Sequence, residues 1–202
     1  MAVLLLRFSA PMQSWGTETK LNDHRTDPYP SKSGVVGMLS SSMGRRRDEG
    51  VDDISMLTFG VRVDKPGIII PDFQTAAVRK NINNKMTDLA SNKKYIGTRF
   101  FLSDAVFTIA LEGDFSVLND LAYNLEHPAY PLFLGRRGFP TNADLVIGVF
   151  EESIEEALFT HKYEKGMRVI IETKSGGEMV HDAPVSYDFR KRSWGYRMVK
   201  EL

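Results

Sequence analysis

His24, Tyr29 and Lys32 fall within nine consecutive residues. Together they carry what metal-free cleavage of an RNA phosphodiester requires. That chemistry needs a base for the 2′-hydroxyl, an acid for the leaving oxygen and a cation for the charge developing on phosphorus. Closeness in sequence does not by itself gather three groups around one phosphate, so the same trio also reads as ordinary loop and helix-start residues. No Ser-His-Asp order or lysine dyad is evident. The four histidines, His24, His127, His161 and His181, are scattered rather than at ligand spacing, and no metal or cofactor is expected. The chain has no cysteine. That excludes disulfides and thiolate chemistry and fits a reducing compartment.

Binding chemistry is written more plainly than catalysis. "LGRRG" (134–138) sets Arg136 and Arg137 between two glycines, so side chains and backbone amides can both reach a phosphate; a solvated turn is the plainer alternative. "SAPMQSWG" (9–16) places Met12, Gln13 and Trp15 in a segment bounded by Pro11 and Gly16. An amide and a ring there make either a binding loop or a plug beneath a sheet. "GRRRDEG" (44–50) puts three arginines just after a helix, where they also complement its negative end. In "KRSWGYR" (191–197), Trp194 and Tyr196 share one strand face, as core or as stacking surface.

The 26 basic and 26 acidic residues cancel, which excludes a protein that coats itself in nucleic acid through bulk charge. The charges are segregated nonetheless. Between Ala76 and Phe101 stand Arg79, Lys80, Lys85, Lys93, Lys94 and Arg99 against Asp88 alone. With Tyr95 among them, they suit tracking of a nucleic-acid strand by charge with some stacking. "EESIEEALF" (151–159) holds four glutamates and no base. Hydrophobic content is 42%, ordinary for a globular chain, and the apolar run Ala2–Leu6 is too short for a signal peptide. A cytoplasmic protein with no membrane partner is expected.

The elements that must position these residues follow from periodicity and punctuation. "VLLLRF" (3–8) reads as a buried strand, and 31–44 as a helix capped by Ser31 or Ser33 and stopped by Gly44. Gly34 and Gly37 inside that helix imply close approach of the backbone to either a neighbouring strand or a ligand. Residues 56–78 read as two strands around "DKPG", 100–113 as one long strand, 116–128 as a second helix and 143–150 as another strand. "MRVIIETK" and "EMVHDAPVS", joined by "SGG", read as a hairpin, with 193–200 as a third strand. The expectation is an α+β chain with a ferredoxin-like, RRM-like βαββαβ domain over 1–150. Residues 79–99 form a basic hairpin-like arm within it, and 151–202 a small C-terminal β region.

Four stretches carry a resemblance over nearly the whole chain: "LLLRFSAPMQSWG", "YPSKSGVVGMLSSSMG", "RFFLSDAVFTIAL" with "YPLFLGRRGFP", and "FRKRSWGYR". The chain resembles the Cas-five family of the RAMP superfamily, in the form found in type I-E Cascade, the bacterial RNA-guided CRISPR surveillance complex. The resemblance implies a non-catalytic subunit with a thumb-like hairpin. It would hold the 5′ repeat-derived handle of the CRISPR RNA, cap the backbone subunits, adjoin the large subunit and meet target DNA only indirectly. Handle binding would call on phosphate contacts from Lys32, Arg136 and Arg137, on helix amides near Ser33 and Gly34, and on base selection by Gln13 and Trp15. Met12, Arg79, Lys80 and Arg99 complete the expected RNA-facing set. Related subunits cleave RNA through Tyr, Lys and His; His24, Tyr29 and Lys32 lie in the broad region without forming a matching motif.

Overall fold

The computed structural model describes all residues except 17–18, 21–22, 78, 83–84, 89–93, 162–166 and 189, with the backbone alone at 19–20, 23, 77, 79–82, 85–88 and 94–95. In chain order the elements are β1 (Ala2–Ser9), β2 (Met12–Gln13), β3 (Thr19–Lys20), β4 (Asp23–His24), α1 (Lys32–Ser42), α2 (Asp52–Ser55), β5 (Thr58–Lys65) and β6 (Ile68–Ala77). Then follow β7 (Arg79–Ile82), β8 (Lys85–Asp88), β9 (Lys94–Ser103), β10 (Val106–Gly113), α3 (Phe115–Glu126), β11 (Val146–Phe150), α4 (Ile154–Thr160), β12 (Arg168–Thr173), β13 (Glu178–Ser186) and β14 (Ser193–Glu201).

The unbroken apolar run of β1 is explained by cover on both faces. Leu4, Leu6 and Phe8 join the side chains of α1, α2 and α3 in one core, whereas Val3 and Leu5 meet Ile154, Ala157 and Leu158 of α4 in another. β1 lies inside a seven-stranded sheet of order β11-β1-β10-β5-β12-β14-β13, in which neighbours run antiparallel. The chain therefore mixes helices with antiparallel sheet. Buried Arg62 ties α4 to this sheet: its guanidinium donates to the carbonyls of Leu158 and His161 at 2.6 Å, and to Thr108 at 3.0 Å.

Local punctuation places the helices well. Ser31 caps α1, its hydroxyl accepting from the Gly34 N–H, and Gly44 follows at φ 74°. Ser153 and Glu156 form a capping box at the start of α4.

Two expectations are corrected. The stretch 100–113 is two strands, broken at Asp104 with φ 55°. Opposite it, Gly67 at φ 68° passes so close to Ser103 that a Cβ would lie 2.5 Å from its carbonyl oxygen. At that paired break β6 and β9 leave the main sheet and form a ten-residue antiparallel ladder, from Ile68–Ser103 to Ala77–Lys94. That ladder begins well before residue 79, and β7 and β8 pair with each other. The second correction concerns "SGG". β12 and β13 do not pair with each other, because β14 lies between them.

Candidate nucleic-acid interface

The loop after β1 is built around its tryptophan. The Trp15 ring stacks on Phe8 with centroids 5.4 Å apart, and its indole N–H donates to Gln13 Oε1 at 3.1 Å. Gln13 in turn donates to the Ala105 carbonyl at 2.8 Å. Both side chains are buried, Gln13 at 0% exposure and Trp15 at 2%. This departs from the expectation that they face RNA: the amide is spent on the ring and on the backbone. A Cβ on Gly34 would sit 3.0 Å from the Trp15 ring, so the helix glycine makes room for the indole. Met12, on the edge of the same loop, is the exposed member.

The Gly-Arg-Arg-Gly loop lies directly on that segment. The Ser14 N–H donates to the Leu134 carbonyl at 3.2 Å, and Gly135, at φ 87°, leaves no room for a side chain: a Cβ would lie 1.7 Å from the Ser14 carbonyl oxygen. The glycine therefore locks the loop against 13–15 and sets the direction of the two arginines. Arg136 is half-buried and donates to the carbonyls of Phe100 at 3.1 Å and His24 at 3.4 Å, with its guanidinium 5.9 Å from the Phe139 ring centroid. Burial, and then the neighbouring Arg99 guanidinium, hold its pKa below the usual arginine value, while Asp72 opposes them. Arg99, opposite Asp72 on β6 and beside His24 on β4, is exposed, and so is Arg137. Arg99 and Arg136 are thus close enough to repel, with Arg137 at the rim. Two like charges held together by the fold gain from an anion placed between them. Sequence reasoning missed Phe139, although it directly follows the loop.

The start of α1 is already occupied by protein groups. The Lys32 N–H donates to Asp182 Oδ2 at 2.8 Å, and the Gly34 N–H to the Ser31 hydroxyl at 3.3 Å. Ser33 is half-buried, with its carbonyl accepting from the Tyr187 hydroxyl. The Lys32 ammonium is buried and paired with Glu172 at 2.7 Å; burial lowers its pKa and that hydrogen bond opposes the shift. Lys32 is therefore engaged by Glu172 of β12 and Asp182 of β13, Ser33 by Tyr187 just after β13, and Gly34 by its own cap and the Trp15 ring, where the sequence suggested a phosphate cradle. Asp182, which sequence reasoning did not single out, also holds Arg197 through two bonds of 2.6 and 2.9 Å.

The candidate trio is divided between these neighbourhoods. His24 belongs to the Arg99–Arg136 corner through its backbone, while Lys32 is spent on Glu172. Tyr29 is half-buried near Arg197 and Asp182, and burial raises its pKa. Arg79 and Lys80 lie in β7, and their side chains fall outside the described residues. Among the described residues no group of three potential metal ligands is found, and no helix is long and apolar enough to cross a membrane.

Comparison with known proteins decides the family. The sequence model of the family described as CRISPR-associated protein (Cas_Cas5) matches residues 3–200. The chain belongs to the Cas5 family. This Cas5-family chain is 30% identical to the CRISPR system Cascade subunit CasD of Escherichia coli (strain K12), across 74% of its own length and 72% of that protein. It is also similar to a chain of a solved CRISPR RNA-guided surveillance complex, at 28% identity and TM-score 0.81, covering 99% of this chain and 89% of that one. A solved Cas protein superposes at 32% identity and TM-score 0.74, covering 99% and 93%.

Proposed function

We propose that this chain is the non-catalytic subunit of a Cascade-type CRISPR interference complex that holds the 5′ repeat-derived handle of the CRISPR RNA. The observation that carries the reading is the basic corner, where Gly135 locks a loop that sets Arg136 beside Arg99 and leaves Arg137 exposed. Such a corner suits a phosphate of a folded or single-stranded RNA end. Met12 at its edge is available to a base, and Gln13 and Trp15 serve by shaping the loop. In the sequence, Arg79 and Lys80 add to the basic residues of the arm.

The order β11-β1-β10-β5, with α1 and α3 packed in one core, supports a ferredoxin-like βαββαβ domain over 1–150. In this reading β6–β9 is the thumb, and 151–202 forms the C-terminal β region, its strands laid against the β5 edge. The thumb exposes Ile68, Ile69, Phe73 and Ile96, an apolar surface suited to the neighbouring backbone subunit. The large subunit docks nearby, target DNA is met only through the complex, and the assembly works in the cytoplasm. Repeat cleavage by His24, Tyr29 and Lys32 is not favoured, because Lys32 is already neutralised by Glu172.

A salt series tests the site. Arg137→Ala is expected to weaken binding of handle RNA and to make the slope of log K against log salt shallower by about 1. Arg136→Ala/Arg137→Ala should flatten it by about 2. An unchanged slope in both variants refutes a phosphate role for this loop.

A further inference from the structure

The main sheet is covered unevenly on the side of α4. That helix packs over β1, β10 and β5 and shares a core with Val169 and Ile171 of β12, while on β14 Lys200 pairs with its Glu155 at 2.9 Å. Within β14, Arg197 and Val199 point to the opposite, buried side, where Arg197 lies over Phe59 and Val199 joins the core. By strand alternation Trp194, Tyr196 and Met198 therefore share the α4 side with Lys200, and Tyr196 is exposed there.

What stands there is a row of rings with a cation at its end. Tyr196 is 66% exposed and stacks on the exposed His181 ring of β13 at 4.5 Å, with 26° between the planes. His181 Nε2 meets the Trp194 carbonyl at 3.1 Å, which fixes the imidazole against β14. Arg192 places its guanidinium 4.8 Å from the centroid of the half-buried Trp194 ring. Arg190 and Lys191 precede it in an exposed turn. Asp188 is engaged in building that turn, its carboxylate accepting from the Arg190 N–H at 2.8 Å. An apolar protein partner would have no use for three consecutive positions of which all are basic. A phosphodiester strand would use them together with the rings, since every base has a π-face and every step a negative charge.

We propose that this face of β13 and β14 is a second nucleic-acid site, which takes single-stranded nucleic acid without sequence preference. Bases stack on Tyr196 and His181, and the phosphates follow Arg192, Lys191 and Arg190. Stacking on rings and pairing of phosphates with cations do not read the sugar, so RNA and DNA strands are held alike. The site differs from the handle corner in every residue and does not depend on the handle reading.

Fluorescence anisotropy with oligouridine and oligothymidine, on full-length chain carrying one equivalent of handle RNA and on chain without it, tests the proposal. Both probes are expected to bind in both conditions, with affinity falling as salt rises. Tyr196→Ala and Arg192→Ala should each weaken the two probes about tenfold and leave handle RNA binding unchanged. Tyr196→Phe keeps the ring and should bind as the parent does. Arg137→Ala should do the reverse of Tyr196→Ala, weakening handle RNA and sparing the probes. Absence of probe binding, equal affinity in parent and Tyr196→Ala, or loss in Tyr196→Phe overturns the proposal. Failure of handle RNA to bind while the probes still respond to Tyr196→Ala overturns only the handle reading.

Discussion

Replacing Asp182 by alanine is expected to destabilise the fold by about 3–5 kcal/mol, the loss found when one member of a buried ion pair is removed. For a chain of this size that corresponds to a fall in Tm of roughly 10 °C. Asp182 is 1% exposed and carries two duties at once. It pairs with Arg197, itself 6% exposed, and accepts from the Lys32 N–H at the first turn of α1. Without the carboxylate, a guanidinium stays buried over Phe59 with its main counter-charge gone, and a helix N–H loses its acceptor. Lys200→Ala, which breaks the exposed pair with Glu155, should by contrast cost no more than about 0.5 kcal/mol. Thermal and urea denaturation of the two variants check the difference. Equal stability of Asp182→Ala and parent would mean that the α1–β13 junction is solvated.

Gly135→Ala is expected to cut handle RNA binding about as deeply as Arg136→Ala/Arg137→Ala, although it removes no charge. The new methyl would meet the Ser14 carbonyl at 1.7 Å, and backbone cannot yield as a flexible side chain can. The left-handed conformation at φ 87° adds about 1–2 kcal/mol for a residue with a Cβ. The loop must then lift from 13–15, parting Ser14 from Leu134 and Arg136 from the Phe100 and His24 carbonyls. Gly138 is the matched control: a Cβ there meets nothing within 4 Å, so Gly138→Ala should bind RNA as the parent does. Side-by-side titrations decide the matter. If Gly135→Ala keeps full affinity, the loop's locked geometry is irrelevant to binding.

The glycines show how much of this was legible from residues alone. At Gly44 the local signal and the structure agree, since a helix stop is decided by the chain's own backbone. "SGG" misled because its last glycine answers a distant strand. A Cβ on Gly177 would lie 2.3 Å from the Val199 carbonyl, so the residue is small to let β14 pass, not to reverse a hairpin. A turn signal cannot tell which strand fills the place beside it. The Gly-Arg-Arg-Gly loop is legible because two guanidiniums between glycines are conspicuous, but that Arg136 braces the corner while Arg137 faces out depends on Phe100 and His24, far away in sequence, as well as on nearby Phe139. The protein partners of Lys32 were hidden for the same reason. A lysine at a helix start suggests a phosphate, and only the fold brings Glu172 and Asp182 to it.

We propose above that the basic corner holds the RNA handle. Ultraviolet crosslinking of the assembled complex, with peptides mapped by mass spectrometry, tests it most directly. Handle crosslinks are expected on Met12 and on residues 135–139, with none on Trp15 or Lys32. Handle crosslinks confined to other surfaces of the chain, with the 135–139 peptide unmodified, would contradict it.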